Sequence, residues 1–200
     1  MKVSILDYGA GNLHSLAKVV ALGGVTASVE TDLSVAASAD VLILPGVGAF
    51  GSAVAAVGRG RDYMKDAVAG GLPVLGICLG MQLLFDESEE GPGAGLGIVP
   101  GRVRRLRSRR VPQIGWNELE SRDDVLFERA RLSTAYFANS FVCEPADPAS
   151  AIAWATHGDD RFVAAIRVGR TVGVQFHPEK SSAEGVAFVE AFLEEAARCR

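Results

Sequence analysis

A chain of 200 residues, 48% hydrophobic and 22% charged, can bury a sizeable core within a single domain spanning residues 1–200, which excludes a disordered chain. Its net charge of −4 argues against nucleic acid as the main partner, and no apolar run reaches the roughly 18 residues of a membrane span. Cys78, Cys143 and Cys199 are far apart and form no C-x-x-C pair, and the opening "MKVSILDYGAGN" lacks signal-peptide character. These features predict reduced thiols, a cytoplasmic location, and no metal or other cofactor.

In chain order, "KVSIL" predicts a strand and "NLHSLAKVVAL" the helix after it. "TASVE" and "DVLILP" predict the next two strands. "AAVGRGRDYMKDAVAGG" is helical in its second part and stops at Gly70-Gly71. "PVLGI" predicts a strand and "LGMQLLFDES" a helix. This alternation implies an α/β fold with a mostly parallel sheet and helices on both faces. "EEGPGAG" is a surface loop by composition. In the second half, "LGIVPGRVRRL", "VPQIGWNEL", "TAYFANSFVCE", "AIAWATHGD", "FVAAIRVGR" and "TVGVQFHPEK" are short strand candidates separated by turns. They predict an antiparallel or mixed extension of the sheet. "SAEGVAFVEAFLEEAARCR" closes the chain as an amphipathic helix.

The stretch Gly76-Ile77-Cys78-Leu79-Gly80 places a cysteine between glycines where a strand runs into a helix. That is the pattern of a nucleophile elbow, in which flanking glycines remove side chains that would collide at the corner. A helix N-terminus would favour the thiolate, and the Leu79 amide would face a developing oxyanion. The alternative is a cysteine packed in the core. A nucleophile needs a base. His177 follows "TVGVQF" at a strand end, and Glu179 two residues on can turn to the same side and orient the ring. Cys78, His177 and Glu179 then form a candidate triad. Alone, "HPE" is equally a strand-ending turn.

"GICLGMQLLF" and "GVQFHPEKS" resemble the two signatures of the class I glutamine amidotransferases. More narrowly, "DYGAGNLHS", "LPGVGAFG", "PQIGWNEL" and "YFANSF" are similar to the glutaminase subunits of imidazole glycerol phosphate synthase, a family of histidine biosynthesis. The resemblance implies that Cys78 attacks the side-chain amide of glutamine, that His177 moves protons, and that Glu179 orients His177. It implies an oxyanion hole from Val47, Gly48 and Leu79, with Gly46 at the substrate. Gln82, Glu90 and Ser140 would hold the substrate's amino-acid end, although Gln82 and Glu90 by themselves read as exposed polar residues. It also implies a heterodimer with a (β/α)-barrel cyclase that receives the ammonia, touched by Asn12, Trp116, Tyr136 and Lys180. The chain departs from the family at Asn139 and Phe141, where histidine and tyrosine are usual, so position 139 cannot carry a proton near neutral pH.

Two further signals lead elsewhere. "DYGAGN" has Gly9-x-Gly11 after a strand, with Glu30 roughly 20 residues on, yet His14 stands where a dinucleotide-binding turn needs its third glycine. The basic run Arg102 to Arg110 has no interleaved aromatics for base stacking and reads as a solvated strand and turn. The competing functions are a glutaminase of another pathway, such as pyridoxal phosphate or guanylate synthesis, and a catalytically silent regulatory module. "PGVGAF" and "PQIGWNEL" argue against the first, and the intact Cys78, His177 and Glu179 against the second.

Overall fold

The computed structural model describes residues 1–9, 13–46 and 48–198. The first half alternates strand and helix: β1 (Val3–Leu6), α1 (Leu13–Leu22), β2 (Ala27–Glu30), α2 (Leu33–Ala36), β3 (Val41–Leu44), α3 (Phe50–Val57), α4 (Arg61–Ala69), β4 (Val74–Ile77) and α5 (Leu79–Leu83). The second half is mostly strand. It holds β5 (Glu87–Ser88), β6 (Gly101–Arg105), β7 (Gln113–Glu118) and β8 (Glu120–Ser121), then α6 (Val125–Ala130), β9 (Thr134–Asn139) and β10 (Phe141–Pro145). It ends with β11 (Ala151–His157), β12 (Asp160–Val168), β13 (Thr171–Val174) and α7 (Ser182–Arg198).

Strands β2, β1, β3, β4 and β13 lie side by side in that order, all parallel. The sheet continues through β12, β10 and β6, each antiparallel to its predecessor, and β5 closes that edge. A parallel centre with an antiparallel extension is the architecture the sequence predicts. Helices on both faces bury β1, β3, β4 and β13 at every residue, which is why these strands read as unbroken apolar runs. Under α1, α6 and α7 lies a core that includes Phe127, Phe137, Phe176 and Phe188. The opposite core holds Phe50, Met64 and Phe85 under the helices of the first half.

Several elements differ from expectation. The helix after Cys78 ends at Leu83 instead of running to Ser88, because Glu87 and Ser88 pair with Arg102 and Val103. "TAYFANSFVCE" is two strands: β9 pairs with β7 in a separate ribbon, while β10 joins the main sheet. Helices α2, α3 and α6 are additional. The Asp32 and Asp124 side chains cap α2 and α6, and these helices are too short to show a period of their own. The basic run is less solvated than expected. Arg104 is buried and forks onto Asp160 at 2.7 and 2.8 Å, and it also bonds Glu144, which Arg102 shares. The cluster therefore joins β6, β10 and β12.

Backbone approaches most closely where α5 meets the sheet. A Cβ on Gly80 would sit 2.0 Å from the Leu44 carbonyl oxygen, and one on Gly76 would sit 2.7 Å from the Gly80 oxygen. Gly51, in α3, has ordinary space, since a methyl group there would lie 3.6 Å from the Pro92 carbonyl oxygen. Gly80→Ala is therefore expected to cost more than about 3 kcal/mol, whereas Gly51→Ala should be neutral or stabilising by up to about 1 kcal/mol. Urea denaturation of both variants checks the contrast.

Candidate active site

Three neighbouring parallel strands, β3, β4 and β13, end on the same side of the sheet, where open α/β sheets bind ligands. Each delivers one part of the site. Strand β4 ends just before Cys78, which caps α5 with φ 49° and ψ −104°. A non-glycine residue rarely adopts this conformation, and surrounding packing has to impose it. The Cys78 N–H donates to Val174 O at 2.6 Å, which ties the corner to β13. The following helix has only five residues, so its dipole contributes less to the thiolate than the sequence suggests.

Strand β13 continues as Gln175, Phe176 and His177. Residues two apart on extended backbone share a side, so Gln175 and His177 both turn to Cys78 while Phe176 enters the aromatic core. The His177 Nδ1–H donates to Glu179 Oε1 at 2.8 Å, and both side chains are buried. The backbone of His177 is clamped as well. Its N–H donates to Tyr136 O at 2.8 Å, and its carbonyl accepts from the Ser181 hydroxyl at 2.7 Å. Ser181 Oγ in turn accepts from the Tyr136 N–H at 2.9 Å. Burial alone would lower the imidazole pKa. Hydrogen bonds and charge from Cys78 and Glu179 outweigh it and carry the pKa up to about 9.

Strand β3 leads into Pro45, Gly46 and Gly48. The Tyr8 hydroxyl donates to the Pro45 carbonyl, and the Glu90 carboxylate accepts from the Phe50 N–H at 3.0 Å, so the loop is held at both ends. A side chain at Gly46 would meet His177 Cε1 at 3.0 Å and Cys78 Cβ at 3.1 Å. Only glycine brings this backbone so close to both groups.

A cavity of about 360 Å³ opens over these parts. Gly46, Gly48, Cys78, Leu79 and Gln82 line it, together with Glu90, Ser140, His177 and Lys180. Leu79 opens α5, so its N–H has no partner within the helix. Val47 and Asn12 lie outside the described residues. Gln82 is 4% exposed and Glu90 half-buried, unlike the exposed residues they resemble in sequence. Ser140 sits at the break between β9 and β10, and its carbonyl accepts from the Leu106 N–H. Asn139 is buried: its Nδ2 donates to Phe141 O at 3.0 Å, and its Oδ1 has no partner among the described residues. Outside the cavity, Trp116 is 56% exposed and meets Tyr136 edge-on; Lys180, at the cavity wall, has its Nζ 5.8 Å above the Tyr136 ring. Ile114, 68% exposed on the same face, was not singled out in the sequence, though β7 alternates as a half-exposed strand should. Sequence reasoning also missed Gln175 and Ser181. Both stand inside a recognised motif, Gln175 two residues before His177 and Ser181 four after it, but the sequence does not show which atoms they bond, since the Tyr136 partner of Ser181 is distant in the chain.

The arrangement supplies a thiol on a strained corner, a buried imidazolium and a carboxylate behind it. Gly46, Gly48 and Leu79 bring backbone to the same cavity. The chain is also similar to known proteins. Residues 4–196 match the family described as glutamine amidotransferase class-I. The imidazole glycerol phosphate synthase subunit HisH of Gloeothece citriformis is 42% identical over 200 residues, covering 96% of this chain and 94% of the relative. The subunit of the same name from Nostoc punctiforme is 42% identical, with 96% and 94% covered. A solved structure titled a glutamine amidotransferase superposes with a TM-score of 0.76 at 22% identity, covering 98% of both chains, and shares the fold.

Because its pKa is raised, His177 holds its proton across neutral pH and loses it only near pH 9. An NMR titration of the imidazole should give that midpoint, and Cys78→Ala and Glu179→Gln should each lower it. A midpoint unmoved by both substitutions would contradict pairing with Cys78 and Glu179 as the cause.

Proposed function

The chain belongs to the class-I glutamine amidotransferases, as a glutamine amidotransferase subunit of imidazole glycerol phosphate synthase in histidine biosynthesis, and we propose that Cys78, His177 and Glu179 carry its glutamine hydrolysis. The observation that supports this is that Cys78 and buried His177 line one cavity at the ends of the adjacent strands β4 and β13, with Glu179 bonded to the imidazole at 2.8 Å behind it.

In the proposed reaction the Cys78 thiolate adds to the side-chain amide carbon of glutamine. A C–S bond forms and the carbonyl electron pair moves onto oxygen. The Leu79 and Gly48 amides stabilise that oxyanion, with Val47 assigned beside them from the sequence. Collapse breaks the C–N bond, and His177 gives its proton to the leaving nitrogen, releasing ammonia. His177, now neutral, takes a proton from water, which attacks the thioester. Glutamate leaves and the thiolate–imidazolium pair is restored. Glu179 keeps the ring in place and stabilises its charge.

Gln82 fits the substrate's ammonium group in this scheme. Its Nε2 donates to Phe141 O at 3.3 Å and to Gln175 Oε1 at 3.2 Å, which leaves the Oε1 acceptor for a ligand. Glu90 adds a negative charge at the same cavity. Gly46 and Ser140 complete the substrate site.

The relatives' name describes a subunit of a synthase, which supports a partner chain; in the proposed reading that partner is a (β/α)-barrel cyclase and the assembly a heterodimer. The exposed face of the β7–β9 ribbon, with Ile114, Trp116 and Tyr136 beside Lys180, is a suitable docking surface next to the cavity mouth. Asn12 belongs to the same proposed interface. No described helix is long and apolar enough to cross a membrane. The whole chain acts as one amidotransferase domain in this reading.

Cys78→Ala should abolish glutamine hydrolysis while its complex with the cyclase still makes product from added ammonium salt. Glutaminase activity that survives Cys78→Ala would refute the nucleophile. Loss of ammonium-dependent synthesis in an assembled complex would refute the division of labour. Glu179→Gln should cost less in single-turnover acylation than His177→Ala, since Glu179 orients the base and carries no proton itself.

A further inference from the structure

Gln175 is fully buried directly before the Phe176–His177 pair, and its Nε2 lies 3.4 Å from Cys78 Sγ. Its Oε1 lies 3.2 Å from Gln82 Nε2. Amide nitrogen and oxygen have nearly the same shape, so the direction of such a pair has to be fixed by a group that can act in only one way. The Phe141 backbone carbonyl is that group, because it can only accept. Gln82 must therefore present its NH₂ end to Phe141, at 3.3 Å. The same NH₂ faces Gln175, so Gln175 must present its oxygen to Gln82. The NH₂ end of Gln175 is then left facing Cys78 Sγ. Asn139 Nδ2 also donates to the Phe141 carbonyl, at 3.0 Å, and holds it in place.

We propose that Gln175 is a further catalytic residue, an N–H donor to Cys78 Sγ that favours the thiolate, with Gln82 as the positioning residue that fixes its orientation. This rests on Cys78 being the nucleophile. The sulfur becomes a better acceptor when ionised, so the donor stabilises the reactive form more than the neutral thiol. Reversing the amide would set a carbonyl oxygen against the thiolate, and the Phe141–Gln82–Gln175 sequence of donors and acceptors forbids this. Such a donor also suits a reaction that starts and ends on thiolate. It stabilises the sulfur before attack and again as the thioester is hydrolysed, when sulfur is the leaving group.

The test is the pH dependence of Cys78 alkylation by iodoacetamide in the full chain, followed by mass spectrometry of the Cys78 peptide so that Cys143 does not contribute. In Gln175→Leu the inflection should lie about one pH unit higher, because a hydrogen bond to a charged group is worth about one pKa unit or more. Glutaminase kcat at neutral pH should fall about tenfold while KM stays within about twofold, since the lost interaction is with the nucleophile. Gln82→Leu should shift the inflection the same way by less, because it frees Gln175 to rotate without removing it. A Gln175→Leu profile that superimposes on the parent's overturns the proposal. Gln175→Met serves if the leucine variant does not fold. The unaltered chain gives an independent readout: one glutamine side-chain amide resonance should move with pH at the Cys78 inflection, and should not do so in Cys78→Ala. A spectrum in which no glutamine side chain follows Cys78 ionisation also overturns the proposal. These outcomes differ from failure of the nucleophile assignment, in which glutamine hydrolysis survives Cys78→Ala whatever the alkylation profile.

Discussion

The contact on which the site depends is between two stretches of bare backbone. Gly80 rests against the carbonyl end of β3 with no room for even a methyl group, and Gly76 packs against Gly80 in turn. This lets α5 start immediately at the end of β4, and the chain has to turn through Cys78 with a positive φ. Interior packing transmits such constraints because it leaves no slack. The thiol, only 6% exposed, is thereby held where the apolar core meets the cavity, while Met81 and Leu83 are fully buried. Any side chain at the contact would push α5 off the sheet and take the cysteine with it.

Alternation along the segment after β13 does the rest. Phe176 enters an aromatic cluster, with ring centroids 5.9 Å from Phe137 and 5.7 Å from Phe188. These rings fix the segment between two polar neighbours, Gln175 and His177, that face the other way. Water is largely excluded there, which strengthens the electrostatic interactions that remain. Desolvation opposes charge on His177, yet the groups on either side of the ring more than offset it. The charged state of the site is thus a product of pairing, and burial acts against it.

The β7–β9 ribbon connects this interior to the surface. The Tyr136 carbonyl anchors His177, and the Tyr136 N–H meets Ser181, while the Tyr136 ring lies beside exposed Trp116. Tyr136 of β9 thus meets exposed Trp116 of β7 with its ring and supports the His177 backbone with its main chain. The ribbon surface is therefore tied to the His177 backbone both directly, through the Tyr136 carbonyl, and through the Ser181 hydroxyl.

Much of this is legible in the sequence, where local chemistry is sufficient. Unbroken apolar runs specify buried parallel strands, and glycines framing Cys78 specify a corner, because both follow from neighbours in the chain. His177 and Glu179 are two residues apart, so their pairing is local as well. Other features depend on distant segments. The length of α5 is cut short because Glu87 and Ser88 find partners in β6. The split of "TAYFANSFVCE" at Ser140 follows from two sheets competing for one stretch. Arg104 reads as a solvated charge until Asp160, far along the chain, is brought beside it. Gln82 reads as a surface residue for the same reason. Its amide takes a direction only when the fold sets the Phe141 carbonyl on one side and Gln175 on the other. The sequence by itself determined the succession of apolar and polar segments along the chain and the chemical groups at the corner and at the HPE turn, since these follow from local pattern. Only the tertiary structure decided which buried polar groups face one another, and in which direction, because a hydrogen bond between distant residues leaves no trace in the spacing of either.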